Sequence, residues 1–141
     1  MLVDSNIIVY AINTSSPKHK RAQEFCQQKK SNLVVTHQNV LESLRVLTHP
    51  KFSHPMAARS ALRAVNAIVS AFSLITPLYE TLEITQMFMK EHSLVADKIF
   101  DAYLVATMLT HGITEIATDN ERDFALYRGI KVVNPFRTRG N

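Results

Sequence analysis

Short apolar runs alternate with longer stretches of helical periodicity along most of the chain. "MLVD" (1–4) is apolar up to its last residue and reads as a buried strand, followed by a short helix over "SNIIVYAI" (5–12). Ser16 and Pro17 supply a cap and a first-turn proline, which predicts a helix over about residues 17–29. "NLVVT" (32–36) is the second strand. It runs into "HQNVLESLRVLTH", where Val40, Leu41, Leu44 and Leu47 recur at helical spacing. A further helix over about 55–71 follows His54-Pro55, and "FSLITP" (72–77) is the third strand. Thr76-Pro77 repeats the cap-then-proline signal before "LYETLEITQMFMKEH". Asp97 is placed to cap "KIFDAYLVATMLTHG", which Gly112 terminates. "ITEIAT" is a fourth strand, "DNERDFALY" a short helical turn, and "GIKVVNP" a fifth strand stopped by Pro135.

This alternation predicts an α/β fold: a three-layer sandwich with a central, mostly parallel five-stranded sheet flanked by helices. No repeat or low-complexity linker interrupts residues 1–141, so one domain is expected over the whole length. Only 3 glycines are present, which argues against a Gly-rich phosphate loop or a loop-rich all-β fold. The net charge of +4 comes from scattered residues: Lys18, Lys20, Arg21, Lys29, Lys30, Arg59, Arg63 and Arg122, with Arg137 and Arg139 near the end. Such a surface is compatible with a polyanionic partner and equally with a solvated basic face. Cys26 is alone, which excludes an internal disulfide. With no secretory leader in residues 1–12, a reducing cytoplasm is expected. No stretch approaches the ~20 apolar residues that span a bilayer, so no membrane partner is expected.

The parallel sheet gives the carboxylates a meaning. In an open parallel sheet, ligands gather beyond the carboxyl ends of the strands, where strand order reverses. Asp4 ends the first strand and Asp119 directly follows the fourth. Glu42 lies in the second turn of the helix after strand two, and Asp101 in the first turns of the helix before strand four. Carboxylates brought together repel and resist desolvation, so a fold keeps such a cluster mainly when something positive fills it. Hard oxygen ligands without cysteine or an ordered histidine pair suit Mg²⁺ or Mn²⁺ better than zinc. The corresponding chemistry is attack of activated water on a phosphodiester.

Each residue also has a plainer reading. Asp4 can simply cap the helix beginning near Ser5. Glu42 can pair with Arg45 three residues on. Asp101 near a helix N-terminus is favoured by the helix dipole. "TDNE" fits a capping box, with Thr118 as cap and Glu121 three residues later. The six histidines are scattered and read as surface or structural residues. No Gly-x-Ser-x-Gly elbow or Walker-type loop is present.

"LVDSNIIVYA", "QNVLESLRVL", "KIFDAYLVATMLTHGITEIATDNERDF" and "GIKVVNPF", taken in order, resemble the PIN domain, in particular the VapC-like toxins of bacterial type II toxin–antitoxin pairs. The resemblance implies a Mg²⁺- or Mn²⁺-dependent endoribonuclease. It makes Asp4, Glu42 and Asp101 the metal-binding acids, and Asn6 and Thr118 their polar support. For the fourth acidic position "TDNERDF" offers Asp119, Asn120 and Asp123, with Asp119 slightly preferred over Asp123 as the metal-proximal acid. The resemblance further implies an RNA substrate, structured RNA such as tRNA or rRNA, together with a cognate antitoxin protein and a homodimer.

Other classes fit less well. A haloacid dehalogenase-type phosphatase needs an acid two residues after the first aspartate, and that position is Asn6. A receiver domain needs an acidic pair before its first helix, which is missing. Two alternatives stay open: a catalytically weak PIN-like RNA- or protein-binding module, and a structure-specific DNA nuclease sharing the same site.

Overall fold

The computed structural model describes residues 1–137; Arg139, counted above among the basic residues, lies outside them. Five short strands occupy the expected runs: β1 Leu2–Val3, β2 Val34–Thr36, β3 Ser73–Ile75, β4 Glu115–Ala117 and β5 Lys131–Val133. They form one sheet in the order β3-β2-β1-β4-β5, and every pairing is parallel. β1 is therefore central. Leu2 stands opposite Val34 on one side and Ile116 on the other, and Val3 opposite Ala117. The chain builds outward from β1 to β3, then returns to place β4 on the other flank. That reversal puts the switch point between β1 and its neighbours.

The apolar strand runs are explained by cover on both faces. Alternate side chains of β1 enter different cores. Val3 packs with Ile7, Ile8, Ala22, Leu47, Ala61 and Val65, beneath α1 Ser5–Ile12, α2 His19–Lys29, α3 His37–Thr48 and α4 Ala58–Val69. Leu2 packs with Leu104, Val105, Met108, Ile116 and Phe124, beneath α5 Thr81–His92, α6 Asp97–Thr110 and α7 Glu121–Phe124. This is the three-layer sandwich the alternation predicts.

Several helix starts differ from the sequence expectation. Pro17 lies in a turn and Pro77 in irregular chain, and α2 and α5 begin at His19 and Thr81. Ser16 does not cap a helix beginning at Pro17; its Oγ accepts from the Lys18 amide at 3.1 Å and closes a turn. Likewise the residues after His54-Pro55 remain irregular until Ala58. Asp97 is the first residue of α6 rather than its cap, which is Ala96. Gly112 does end α6, at φ +67°, with the Ile113 amide returning to the Met108 carbonyl at 2.9 Å. Between α5 and α6 the chain turns through Ser93 and Ala96, at φ 51° and 52°. A left-handed alanine costs about 1 kcal/mol or more, and here it lets α6 start at the carboxyl edge of the sheet. No helix among the described residues is long and apolar enough to cross a membrane.

Candidate active site

A cavity of about 730 Å³ opens at the carboxyl edge, and Asp4, Glu42, Asp101 and Asp123 all line it. Each acid arrives from a different element: the end of β1, the second turn of α3, the second turn of α6, and α7.

Asp4 is the most constrained of them. β1 hands the chain directly to α1, so Asp4 is the N-cap, and its Oδ1 accepts from the Ser5 amide at 2.7 Å. Its Oδ2 accepts from Thr118 Oγ1 at 2.6 Å and from Asn6 Nδ2 at 2.8 Å. The capping reading is thus correct, and it coexists with a place in the cavity wall. Burial raises the Asp4 pKa to about 6; the Thr118 and Ser5 hydrogen bonds pull it down, and the charges of Glu42 and Asp101 push it up.

Glu42 does not pair with Arg45. Its Oε2 accepts from Ser5 Oγ at 3.1 Å and its Oε1 from Gln38 Nε2 at 2.9 Å. Gln38 Nε2 also donates to the Phe100 carbonyl at 3.0 Å, tying α3 to α6. Asp101 is raised by burial, lowered by Lys98, and raised again by Asp123 and Glu42. These mutual effects place the carboxylates within one electrostatic neighbourhood.

Asn6 and Thr118 form the support beneath Asp4. Thr118 is fully buried. Besides donating to Asp4, its Oγ1 accepts from Asn6 Nδ2 and from the Asn120 amide, both at 3.0 Å. The capping-box reading of "TDNE" is therefore wrong: the cap of α7 is Asn120, and the Thr118 hydroxyl serves Asp4 instead. Thr118→Val should lower the unfolding free energy by about 2 kcal/mol in urea denaturation, because valine strands two donors and removes one from Asp4.

The segment after β4 splits its acids. Asp123 and Asn120 line the cavity, whereas Asp119 is not among its lining residues. Asp119 accepts from Tyr10 Oη at 3.1 Å and is ion-paired with Lys18. Burial would raise its pKa, but Lys18 and Tyr10 hold it below the usual carboxylate range. The Lys18 ammonium also lies 5.2 Å from the ring centres of Tyr10 and Phe136. Asp119 thus ties the segment after β4 to α1 and to the turn before α2, whereas Asp123 stands with the other acids at the cavity.

Some residues at the cavity were not singled out by sequence reasoning. Gln38 stands one helical turn before Glu42, and Lys98 three residues before Asp101; both spacings predict side-chain contact. Lys98 Nζ lies 2.5 Å from Asp123 Oδ1 and 3.6 Å from Asp101 Oδ2. Arg45 and His37 also line the cavity, His37 as an exposed residue, in keeping with the reading of the histidines as surface or structural. Cys26 is buried elsewhere, and burial pushes its thiol up to about 11, which leaves it unreactive.

The residues fit a hard divalent cation held partly through water. All the candidate ligands are oxygen donors, and the buried Gln38 Oε1 in the cavity wall accepts no hydrogen bond. Among the described residues no three His, Cys, Asp or Glu side chains form a ready-made ligand group. Mg²⁺ tolerates this, because it keeps several waters and takes only one or two carboxylates directly.

Solved structures share this architecture. A toxin–antitoxin complex from Klebsiella pneumoniae matches at a TM-score of 0.68 and 21% identity, over 97% of this chain and 98% of that one. VapC20 from Mycobacterium tuberculosis, described as a sarcin–ricin loop cleaving toxin, matches at 0.69 and 16%, over 92% and 97%. DNA-bound VapBC from Salmonella typhimurium matches at 0.72 and 14%, over 95% and 96%. A search of curated proteins finds no match. The central β1 ending on Asp4, the parallel sheet around it and the edge cavity all fall within the span of the PIN domain model, which matches residues 1–130, and the chain belongs to that family.

Proposed function

We propose that this chain is a Mg²⁺- or Mn²⁺-dependent endoribonuclease and the toxin of a toxin–antitoxin pair. The observation that carries the reading is the meeting of Asp4, Glu42, Asp101 and Asp123 in one cavity at the switch point of a parallel sheet. Asp4, Glu42 and Asp101 hold the cation, with Asp123 beside them. Asn6 and Thr118 fix Asp4 by occupying Oδ2, and Ser5 and Gln38 fix Glu42. When bound, the divalent ion lowers the pKa of water and offsets charge on the phosphate oxygens. Asp123, the acid not assigned to the cation, is the one left to take a proton from water at the cavity. Arg45 at the mouth offers a contact to the RNA backbone, so binding should weaken steeply with salt.

Structured RNA such as tRNA or rRNA is the favoured substrate. The fold shared with VapC20, described as a sarcin–ricin loop cleaving toxin, supports it. So does the preference of sequence-specific recognition for splayed, single-stranded bases. The toxin–antitoxin complexes sharing the fold support a cognate antitoxin partner. A second reading, a PIN-like binding module without useful metal, draws on Lys98, which already neutralises part of the cavity. Calorimetric titration with Mn²⁺ separates the two. The wild type should bind Mn²⁺ and Asp4→Asn should lose at least about tenfold in affinity. Absence of binding to the wild type would favour the module.

A further inference from the structure

The acids in the cavity are neutralised unevenly. On one side, the partners of Asp4 and Glu42 are Ser5, Asn6, Gln38 and Thr118, all uncharged donors. Among the described residues neither acid forms an ion pair. On the other side, Lys98 on the first turn of α6 reaches both Asp101 and Asp123 and so bridges α6 to α7. The Lys98 side chain is 45% exposed, so its ammonium has a path to solvent. A long lysine stem of this kind can swing its ammonium into solvent without opening the core.

Resting on the metal-dependent reading above, we infer that Lys98 is an internal counter-ion that competes with the divalent cation for Asp101 and Asp123. The ammonium donates to the same carboxylate oxygens that a cation would use. Two positive centres on the same pair of carboxylates also repel each other. Metal entry on this side therefore requires Lys98 to leave. Half-exposed ion pairs are weak, so the competition lowers metal affinity by roughly tenfold and does not block binding. Without metal, Lys98 offsets the like charges of Asp101 and Asp123, while the buried Phe124 docks α7. The residue thus sets how much free metal the site needs.

The test is titration of metal-stripped protein with Mn²⁺ alone, comparing wild type, Lys98→Gln and Lys98→Arg. Lys98→Gln should bind Mn²⁺ about five- to tenfold more tightly, and Lys98→Arg should stay within about twofold of wild type. A purely structural lysine predicts the opposite sign, because loosening α6 against α7 would scatter the ligands and weaken binding. Equal or weaker binding by Lys98→Gln, with the wild type binding normally, overturns the inference and leaves the nuclease reading intact. No Mn²⁺ binding by any of the three overturns both.

Discussion

Asp4→Asn is expected to slow RNA cleavage at saturating Mn²⁺ by about 10²–10³-fold, with Asp101→Asn close behind. The amide keeps the shape of the carboxylate but removes the negative charge that holds the cation and orients water. Asp4 suffers doubly, because its Oδ2 sits between two donors, Thr118 and Asn6. An NH₂ group there would face hydrogens with no acceptor. Asp123→Asn should fall by about tenfold, since Asp123 lines the cavity but shares its charge with Lys98. Asp119→Asn should keep nearly full activity and lose stability instead, because it breaks the clasp with Lys18 and Tyr10. Single-turnover cleavage of purified total RNA with Mg²⁺ or Mn²⁺ checks the series. If Asp4→Asn and Asp101→Asn cut as fast as wild type, the assignment of the site is wrong.

The metal-free protein should be less stable at pH 7 than at pH 4, by about 2 kcal/mol from Asp4 alone. Burial moves this carboxyl from 3.8 to about 6. Folded Asp4 therefore keeps its proton up to about pH 6, whereas the unfolded chain releases it near 3.8. Between those values the native state binds more protons, so stability declines as pH climbs and levels off above about 6. Asp101 is raised as well and adds to the decline in the same direction. Asp119, held low by Lys18 against the effect of burial, acts oppositely: its contribution is present above the unfolded pKa and fades only as pH falls below it. Urea unfolding in EDTA across pH 4–7 measures the slope. Asp4→Asn should flatten it, and saturating Mn²⁺ should restore stability at pH 7. A wild-type curve that rises from pH 4 to pH 7 would contradict this account of Asp4.

Much of the fold was legible because a parallel sheet covered on both faces writes its strands as uninterrupted apolar runs. "NLVVT" and "ITEIAT" needed no further information to be placed. The helix boundaries were less legible. Ser16-Pro17 and Thr76-Pro77 carry the local chemistry of a helix start, yet the first serves a turn and the second lies in irregular chain. The entry to α6 was silent for the opposite reason. Ser93-Leu94-Val95-Ala96 contains no glycine, and two left-handed residues are imposed by the packing around them. In the site, Asp4, Glu42 and Asp101 could be picked out by their distance from strand ends. The choice between Asp119 and Asp123 could not. It depends on Lys18, 101 residues before Asp119, and on Lys98, 25 residues before Asp123. Thr118 was misread as a capping box for the same reason, since its hydroxyl is claimed by a carboxylate 114 residues away.

β1 lies at the middle of the sheet, yet one of its two neighbours, β4, begins only at Glu115. During synthesis the first strand emerges early and waits for most of the chain before that flank is filled. Until then Asp4 lacks the Thr118 hydroxyl, and the wall carrying Asp123 does not yet exist. A partly made chain, or one cut short before β4, holds the first acids without the arrangement that gives them a shared purpose. For the proposed ribonuclease, this order of assembly delays a complete site until most of the chain has been made.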